Sequence, residues 1–177
     1  MEAYLKKLCF EYQVEEKEVK ELLARMERVY LDKGETIASA TMPEQSLYII
    51  VSGILHTFTT RQGEDKTVSF LSEGDAILCY NTSKHSVKTL TRCVAYYISE
   101  DEIEELCATS ITFSTLVRQM MEYQFYLKEE MSVNARTLTI RARYLSLVSE
   151  IPDILYKLPL KSITHYLGAD GTSLGYL

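Results

Sequence analysis

The residues of this chain that could carry out chemistry are scattered rather than grouped. The four cysteines, Cys9, Cys79, Cys93 and Cys107, form no CxxC pair, and the three histidines lie on three separate segments. Neither an H-x-H nor an H-x-x-x-H spacing exists, so the sequence offers no metal-ligand motif. A Ser–His–Asp set and a glycine-rich phosphate loop are also lacking. We therefore expect no enzyme activity, no metal and no cofactor.

One run of basic residues could attract an anion. Lys84, His85, Lys88 and Arg92 follow one another along a segment with strand-like composition. Such a run is compatible with an anionic ligand, but more often it marks the solvated edge of a strand. The sequence favours the strand edge and keeps the anion site as the alternative.

Charge is distributed unevenly along the 177 residues, whose net charge is −6. Residues 1–135 hold 14 Lys/Arg and 22 Asp/Glu, whereas residues 136–177 hold 5 and 3. An acidic front and a mildly basic tail predict two modules, of which only the tail could approach phosphates. No apolar run approaches the roughly 20 residues of a membrane span. Unpaired cysteines without a signal-peptide core predict a cytoplasmic location.

The elements that must position these residues follow from hydrophobic spacing. Residues 1–29 show the three- and four-residue spacing of helices. Four segments then follow that are rich in Val, Ile, Thr, Tyr and Phe and are bounded by glycine or polar residues: 29–37, 46–60, 66–80 and 86–99. Short strands with regular turns predict an α+β fold built around a small antiparallel β-roll.

Helix returns after the strands. Ser99 and Glu102 have the spacing of a capping box. A long helix is predicted from about Ser114 to Glu150, with a break near Ser132–Asn134. A narrow stripe with heptad spacing runs along it: Phe113, Val117, Met120, Gln124, Leu127, Met131, Asn134 and Leu138. This stripe predicts a homodimer seam, although a helix packed on its own roll would also be compatible with it.

The tail has the spacing of a helix-turn-helix unit. Thr164 is a small residue on the first helix, Gly168 follows four positions later at the turn, and Leu174 can lock the second helix. This spacing predicts a nucleic-acid-binding unit, with a plain αα-corner as the alternative.

The order of these features resembles the cyclic AMP receptor/fumarate-nitrate regulator (Crp/Fnr) family of bacterial transcription factors. The resemblance covers nearly the whole chain and is strongest at Lys33–Glu35, Val51–Gly53, Glu73–Asp75, Arg143–Tyr144 and Tyr166–Gly168. It implies a cyclic-nucleotide-binding-type β-roll for effector sensing in residues 1–112, a dimerisation helix in 113–135 and a DNA-binding domain in 136–177.

The resemblance also implies where an effector would bind. Members that bind cyclic nucleotides use a Gly-Glu pair and an Arg-Ser or Arg-Thr pair, because a buried phosphate needs a guanidinium and a ribose hydroxyl needs a carboxylate. Leu78–Cys79 and Ser83–Lys84 occupy those positions here. We therefore expect an unidentified small-molecule effector other than a cyclic nucleotide, with Leu78, Cys79, Ser83, Lys84 and Lys88 as pocket candidates.

Two functions remain open at the tail. Candidate DNA contacts are Lys161, Ser162, Thr172, Ser173 and Tyr176. The second helix would hold no Arg or Lys and two glycines, so we expect weak DNA binding. The leading interpretation is a dimeric DNA-binding transcription regulator with a degenerate sensor. The alternative is a dimeric ligand-binding or interaction module without competent DNA binding.

Overall fold

The computed structural model describes residues 3–39, 46–79, 85–152 and 154–168. It opens with two short helices, α1 (Ala3–Tyr12) and α2 (Glu16–Leu23). A capping box between Glu15 and Glu18 begins α2. The apolar faces of both helices are buried, as at Leu8 and Val19, which confirms the helical N-terminal segment.

Eight antiparallel strands form the centre of the fold. They are β1 (Glu27–Leu31), β2 (Thr36–Ala38), β3 (Ser46–Ser52), β4 (Leu55–Arg61), β5 (Glu64–Leu71), β6 (Ala76–Cys79), β7 (Ser86–Thr89) and β8 (Cys93–Ser99). Sheet A has the order β1-β8-β3-β6, and sheet B has the order β2-β7-β4-β5. The predicted β-roll is confirmed.

Turn chemistry fixes the strand connections. Gln62 and Gly63 link β4 to β5 with φ values of 55° and 79°, the positive pair required by a tight two-residue hairpin. Gly74 has φ +84°, and a Cβ atom there would lie 2.5 Å from the Lys7 Cδ atom. Glycine at this turn therefore lets α1 pack directly on the connection between β5 and β6.

Three apolar clusters divide the interior. One lies between α1, α2, α4 and sheet A and includes Leu8 and Leu47. A second fills the roll between the two sheets, with Ile50 and Leu55 fully buried. The third joins sheet B to the tail through Ile54, Leu147 and Ile163. The roll is therefore covered by helices on sheet A and by the tail on sheet B.

The helices after the roll begin at side-chain caps. The Ser99–Glu102 capping box begins α3 (Glu100–Thr109) as predicted. Ser110 caps α4, which runs from Ile111 to Thr137, and α5 spans Ile140–Glu150. The predicted break near Ser132–Asn134 is wrong: the break falls at Leu138–Thr139, because the Thr139 hydroxyl accepts from the Ala142 amide at 3.2 Å and starts a new helix.

The inward face of α4 differs from the predicted dimer seam at two positions. Met120 is 3 % exposed and packs in the apolar cluster against sheet A. The Gln124 amide donates to the Ala76 carbonyl at 2.7 Å. Both side chains therefore contact residues of their own chain, because this part of the stripe faces the roll. Leu138, the last residue of the predicted stripe, lies beyond the end of the helix.

The tail packs against sheet B. It consists of α6 (Ile154–Lys157) and α7 (Leu160–Leu167), and α7 lies against β5. Thr164 is 6 % exposed on the inner face of α7, and Gly168 ends the helix with φ +64°. The first helix and turn of the predicted helix-turn-helix are present, whereas Leu174 lies outside the described residues.

Candidate functional site

A cleft of about 1800 Å³ opens between the roll, α4 and α5. Its roll wall includes Ile77, Cys79 and Val87, and its α4 wall includes Leu127 and Met131. We call it the central cleft. It adjoins three structural units at once.

The strand residues on the roll wall of the central cleft are apolar or carry hydroxyl or thiol groups, while the charged lining of the roll comes from its turns, at Glu73 and Asp75. Leu71 and Val87 belong to the apolar cluster inside the roll. Thr57 and Ser69 face each other across β4 and β5, and their hydroxyl oxygens are 2.6 Å apart. Of the described strand residues that line the cleft, none is Arg or Lys. This wall could therefore bind an apolar group and a few neutral hydrogen-bonding groups.

Two predicted pocket residues, Leu78 and Cys79, both line the central cleft but point in opposite directions. Leu78 packs on the cluster beneath the helices, whereas Cys79 is buried inside the roll. Alternation along β6 requires this separation. Burial raises the pKa of the Cys79 thiol to about 12, so Cys79 is a neutral thiol near pH 7 and not a reactive thiolate.

Lys88 does not join Leu78 and Cys79, which corrects the predicted pocket. It lies on the outer face of sheet B, where its Nζ atom is 5.5 Å from the centre of the Phe58 ring. Its Nζ atom is also 3.8 Å from the Asp65 carboxylate. His85, a neighbouring residue of the basic run, lines the central cleft. The other two predicted pocket residues, Ser83 and Lys84, lie outside the described residues.

A hydrogen-bonded junction connects α1, β6 and α4 beside the cleft. The Tyr12 hydroxyl accepts from the Ala76 amide at 3.2 Å and from the Gln124 amide at 3.3 Å. The Tyr12 and Tyr123 rings meet edge to face with centroids 5.0 Å apart. Because Gln124 also donates to the Ala76 carbonyl, movement of α4 would break two linked polar contacts.

Charged residues extend this junction. The Lys7 ammonium is 2.8 Å from the Asp75 carboxylate and 3.8 Å from that of Glu11. Tyr123 on α4 acts on the Glu11 carboxyl group and lowers its pKa slightly. Burial, which outweighs the attraction of Lys7, raises the pKa of Glu11 to about 7, with Asp75 and Glu150 acting in the same direction. We call Lys7, Glu11, Asp75, Tyr123 and Glu150 the charged junction.

Sequence reasoning missed the charged junction. Lys7 and Glu11 have the four-residue spacing of a helical ion pair, which usually marks an exposed face. Asp75 belongs to the Glu73–Asp75 motif, and its second oxygen accepts from the Ser72 amide at 2.6 Å, as expected for a turn. Nothing in the sequence showed that α1 would meet this turn.

Of the predicted DNA contacts on α7, Lys161 is paired with a residue of sheet B. The Lys161 ammonium is 3.0 Å from the Glu64 carboxylate, and the His165 Nδ1 atom is 3.1 Å from the Asp65 carbonyl. Glu64 also pairs with Lys66 at 2.9 Å. Ser162 is half-buried, and Thr172, Ser173 and Tyr176 lie outside the described residues.

Among the described residues, no helix is long and apolar enough to cross a membrane. No cluster of at least three His, Cys, Asp or Glu side chains there could hold a metal ion.

The eight-strand roll with its covering helices is similar to known proteins. Residues 28–110 match the model of the cyclic nucleotide-binding domain family. The match covers the strands that form the cyclic nucleotide-binding domain and ends at the cap of α4. A comparison with curated protein sequences found no significant match.

Several solved structures are similar to this chain in fold over most of its length. FixK2 from Bradyrhizobium japonicum has a TM-score of 0.69 at 12 % identity, covering 85 % of this chain and 81 % of its own. The c-di-GMP responsive global regulator CLP of Xanthomonas campestris scores 0.64 at 12 % identity, covering 92 % and 89 %. A candidate Crp/Fnr regulator from Eubacterium rectale scores 0.66 at 14 % identity, covering 93 % and 82 %. The fold is that of the Crp/Fnr regulators, as predicted.

Proposed function

We propose that this chain is a transcription regulator of the Crp/Fnr type, in which a small molecule bound in the central cleft controls the tail. The observation that carries the proposal is the position of the cleft. A ligand there would contact the cyclic nucleotide-binding domain, α4 and α5 together. Its binding energy would therefore depend on how these three units are arranged, which is the requirement for a ligand to shift a conformational equilibrium.

The effector we propose is a largely apolar molecule with a few neutral hydrogen-bonding groups. Leu71, Ile77 and Val87 would contact its apolar part. The Thr57–Ser69 hydroxyl pair would supply directional contacts. A cyclic nucleotide would place a phosphate against this wall, and burying an anion without a cation or several donors is costly. Leu78 and Cys79 occupy the positions where the resemblance implies the Gly-Glu pair.

We propose that the chain is a homodimer whose contact uses the outer face of α4. Met121, Phe125, Tyr126 and Val133 are each more than two-fifths exposed there. Water-exposed aromatic side chains on one long helix are typical of a surface that another protein covers. This face replaces Met120 and Gln124 as the centre of the contact, while Phe113, Val117, Leu127 and Met131 could flank it.

The tail would be the output module. Its first helix carries Lys161 and Ser162, and Gly168 supplies the turn. Few Lys or Arg residues are available, so we propose weak, salt-sensitive DNA binding. The domain division would be sensor 1–112, dimerisation helix 113–135 and DNA-binding tail 136–177. The chain would act as a non-enzyme in the cytoplasm, in keeping with its four free cysteines.

One observation favours the alternative of an interaction module without competent DNA binding. Lys161, a candidate phosphate contact, is paired with Glu64 on the roll. The Glu64 carboxylate offsets the positive charge that Lys161 would offer to a phosphate.

The experiment is a pair of titrations on the same protein. Calorimetry with cyclic AMP should show no binding, and fluorescence anisotropy should show weak binding of DNA from upstream of its own gene at about 150 mM salt, lost as salt is raised. Micromolar cyclic AMP binding would refute the proposed effector class. No binding of any DNA at low salt would leave the interaction module as the function.

A further inference from the structure

The α5 side of the central cleft carries a cation that the proposed function leaves unused. Arg143 lines the cleft, and Leu147, one helical turn further on, lines it as well. The Arg143 side chain is half-buried, and its Nε atom is fully covered without a hydrogen-bond partner among the described residues. Polar groups that leave water are normally hydrogen-bonded, so this unfilled donor indicates that the guanidinium has no partner within its own chain.

The lysines that line the cleft do not share this feature. Lys7 lies 2.8 Å from the Asp75 carboxylate, and Lys157 donates to a backbone carbonyl at 3.3 Å. Lys128 is exposed on α4, where water solvates its charge. None of the ion pairs between described residues includes Arg143. Of these lining cations, Arg143 therefore combines partial burial with the lack of a counter-charge.

The acid on the same wall does not supply that counter-charge. Glu150 lies seven positions beyond Arg143 on α5, which corresponds to about 10 Å along the helix axis. Its Oε1 atom accepts a hydrogen bond from the Ser146 hydroxyl at 2.9 Å. A carboxylate brought by a ligand would therefore be the first ion-pair partner of the Arg143 guanidinium.

Apolar side chains could hold the rest of such a ligand. Leu147 and Ile151 line the cleft from α5 and its C-terminal end, and both are buried, while Leu127 and Met131 line the cleft from α4. A guanidinium offers parallel N–H donors that match the two oxygens of a carboxylate. Because Nε is covered, a carboxylate would meet the two terminal nitrogens of Arg143.

We propose that Arg143 is the acid-binding residue of the central cleft and that the effector is an amphipathic carboxylate. The apolar chain of the effector lies in the cleft, and its carboxylate pairs with the Arg143 guanidinium. This inference rests on the proposed function, to whose apolar effector it adds one anionic group on the α5 side, away from the roll wall. Since α5 belongs to the tail, the ion pair connects the ligand directly to the part of the chain that it would control.

The test is calorimetry with two probes of equal chain length, decanoate and decanol, at pH 7.5 and about 150 mM salt. The parent chain should bind decanoate at least about tenfold more tightly than decanol, because hydrogen bonds between charged partners are about twice as strong as neutral ones. Arg143→Gln should weaken decanoate binding until this preference is lost, and should leave decanol binding unchanged. An undiminished preference in Arg143→Gln would overturn the inference, as would the lack of a preference in the parent.

Arg141→Gln is the matched control, because Arg141 is an exposed arginine of the same helix and is not among the residues that line the cleft. It should keep the preference of the parent, and a loss there would show that net charge rather than this site attracts decanoate. If Arg143→Gln fails to fold, Arg143→Met, which keeps an apolar stem of similar length, takes its place. Decanol binding without a preference for decanoate would remove only the acid site and leave the proposed function standing. Binding of neither probe would count against the apolar effector itself, and the acid site would fail with it.

Discussion

Two buried groups should oppose each other in the pH dependence of stability. His56 on β4 is 5 % exposed, its Nδ1 atom is 2.9 Å from the Thr67 hydroxyl, and its Nε2 atom has no partner among the described residues. Burial lowers the pKa of His56 from 6.5 to about 4. Burial raises that of Glu11 from 4.5 to about 7. Their titrations overlap between about pH 5 and pH 6.5.

The two groups contribute with opposite sign. Below pH 6.5 the unfolded chain binds a proton at His56 that the folded chain does not, so His56 lowers stability as pH falls towards 4. Above pH 4.5 the folded chain keeps a proton on Glu11 that the unfolded chain has lost. The stability gained from Glu11 is therefore complete below pH 4.5 and disappears as pH rises through 7.

The magnitudes are similar. A pKa difference of one unit corresponds to about 1.4 kcal/mol. Between pH 5 and pH 6.5, His56 should raise the free energy of unfolding by about 1.5 kcal/mol, and Glu11 should lower it by about the same amount. We expect the parent chain to be nearly flat over this interval.

Single substitutions should reveal each slope, with urea denaturation at constant ionic strength as the measurement. His56→Gln should make the free energy of unfolding fall by about 1.5 kcal/mol from pH 5 to pH 6.5, and Glu11→Gln should make it rise by about 1.5 kcal/mol. The double variant serves as the control and should be flat again. Parallel profiles for the parent and both single variants would refute the reasoning.

Three other changes probe the dimer face, the turn beneath α1 and the tail contact. Phe125→Glu should give monomers in sedimentation without unfolding the chain, because Phe125 is 73 % exposed in one chain; a dimer that persists would rule out this face. Gly74→Ala should lower the free energy of unfolding in urea by about 1–3 kcal/mol more than Gly63→Ala does. Of these two positions, only Gly74 would bring the new Cβ atom against a neighbour, so equal losses would contradict the packing. Glu64→Gln should tighten DNA binding in an anisotropy titration, because it removes the carboxylate that lies 3.0 Å from the Lys161 ammonium. An unchanged affinity would show that this ion pair does not limit DNA binding.

Much of the fold follows from local sequence chemistry. The hairpin at Gly63 and the turn at Gly168 need positive φ values, which glycine adopts at little cost. Ser99 and Glu102 carry their capping box within four residues. Each of these features depends on neighbours along the chain, so each could be predicted before any contact was known. The position of the α4–α5 break could not, because Ser132, Asn134 and Thr139 are all polar and only Thr139 is used as a cap.

The candidate site depended on tertiary structure. The stripe through Met120 and Gln124 has the same spacing whether it faces a partner chain or its own roll. Contacts with α1 and β6 determine that it faces the roll. Lys88 follows Val87 on β7, so pleating sends it to the outside of the sheet, away from Cys79. Glu11 became a buried acid through contacts with residues more than 60 positions away. The sequence by itself determined the order of the elements, their turns and the apolar faces. Which polar groups meet was decided only when the helices and the tail packed against the roll, because burial and charge proximity are properties of distant segments brought together.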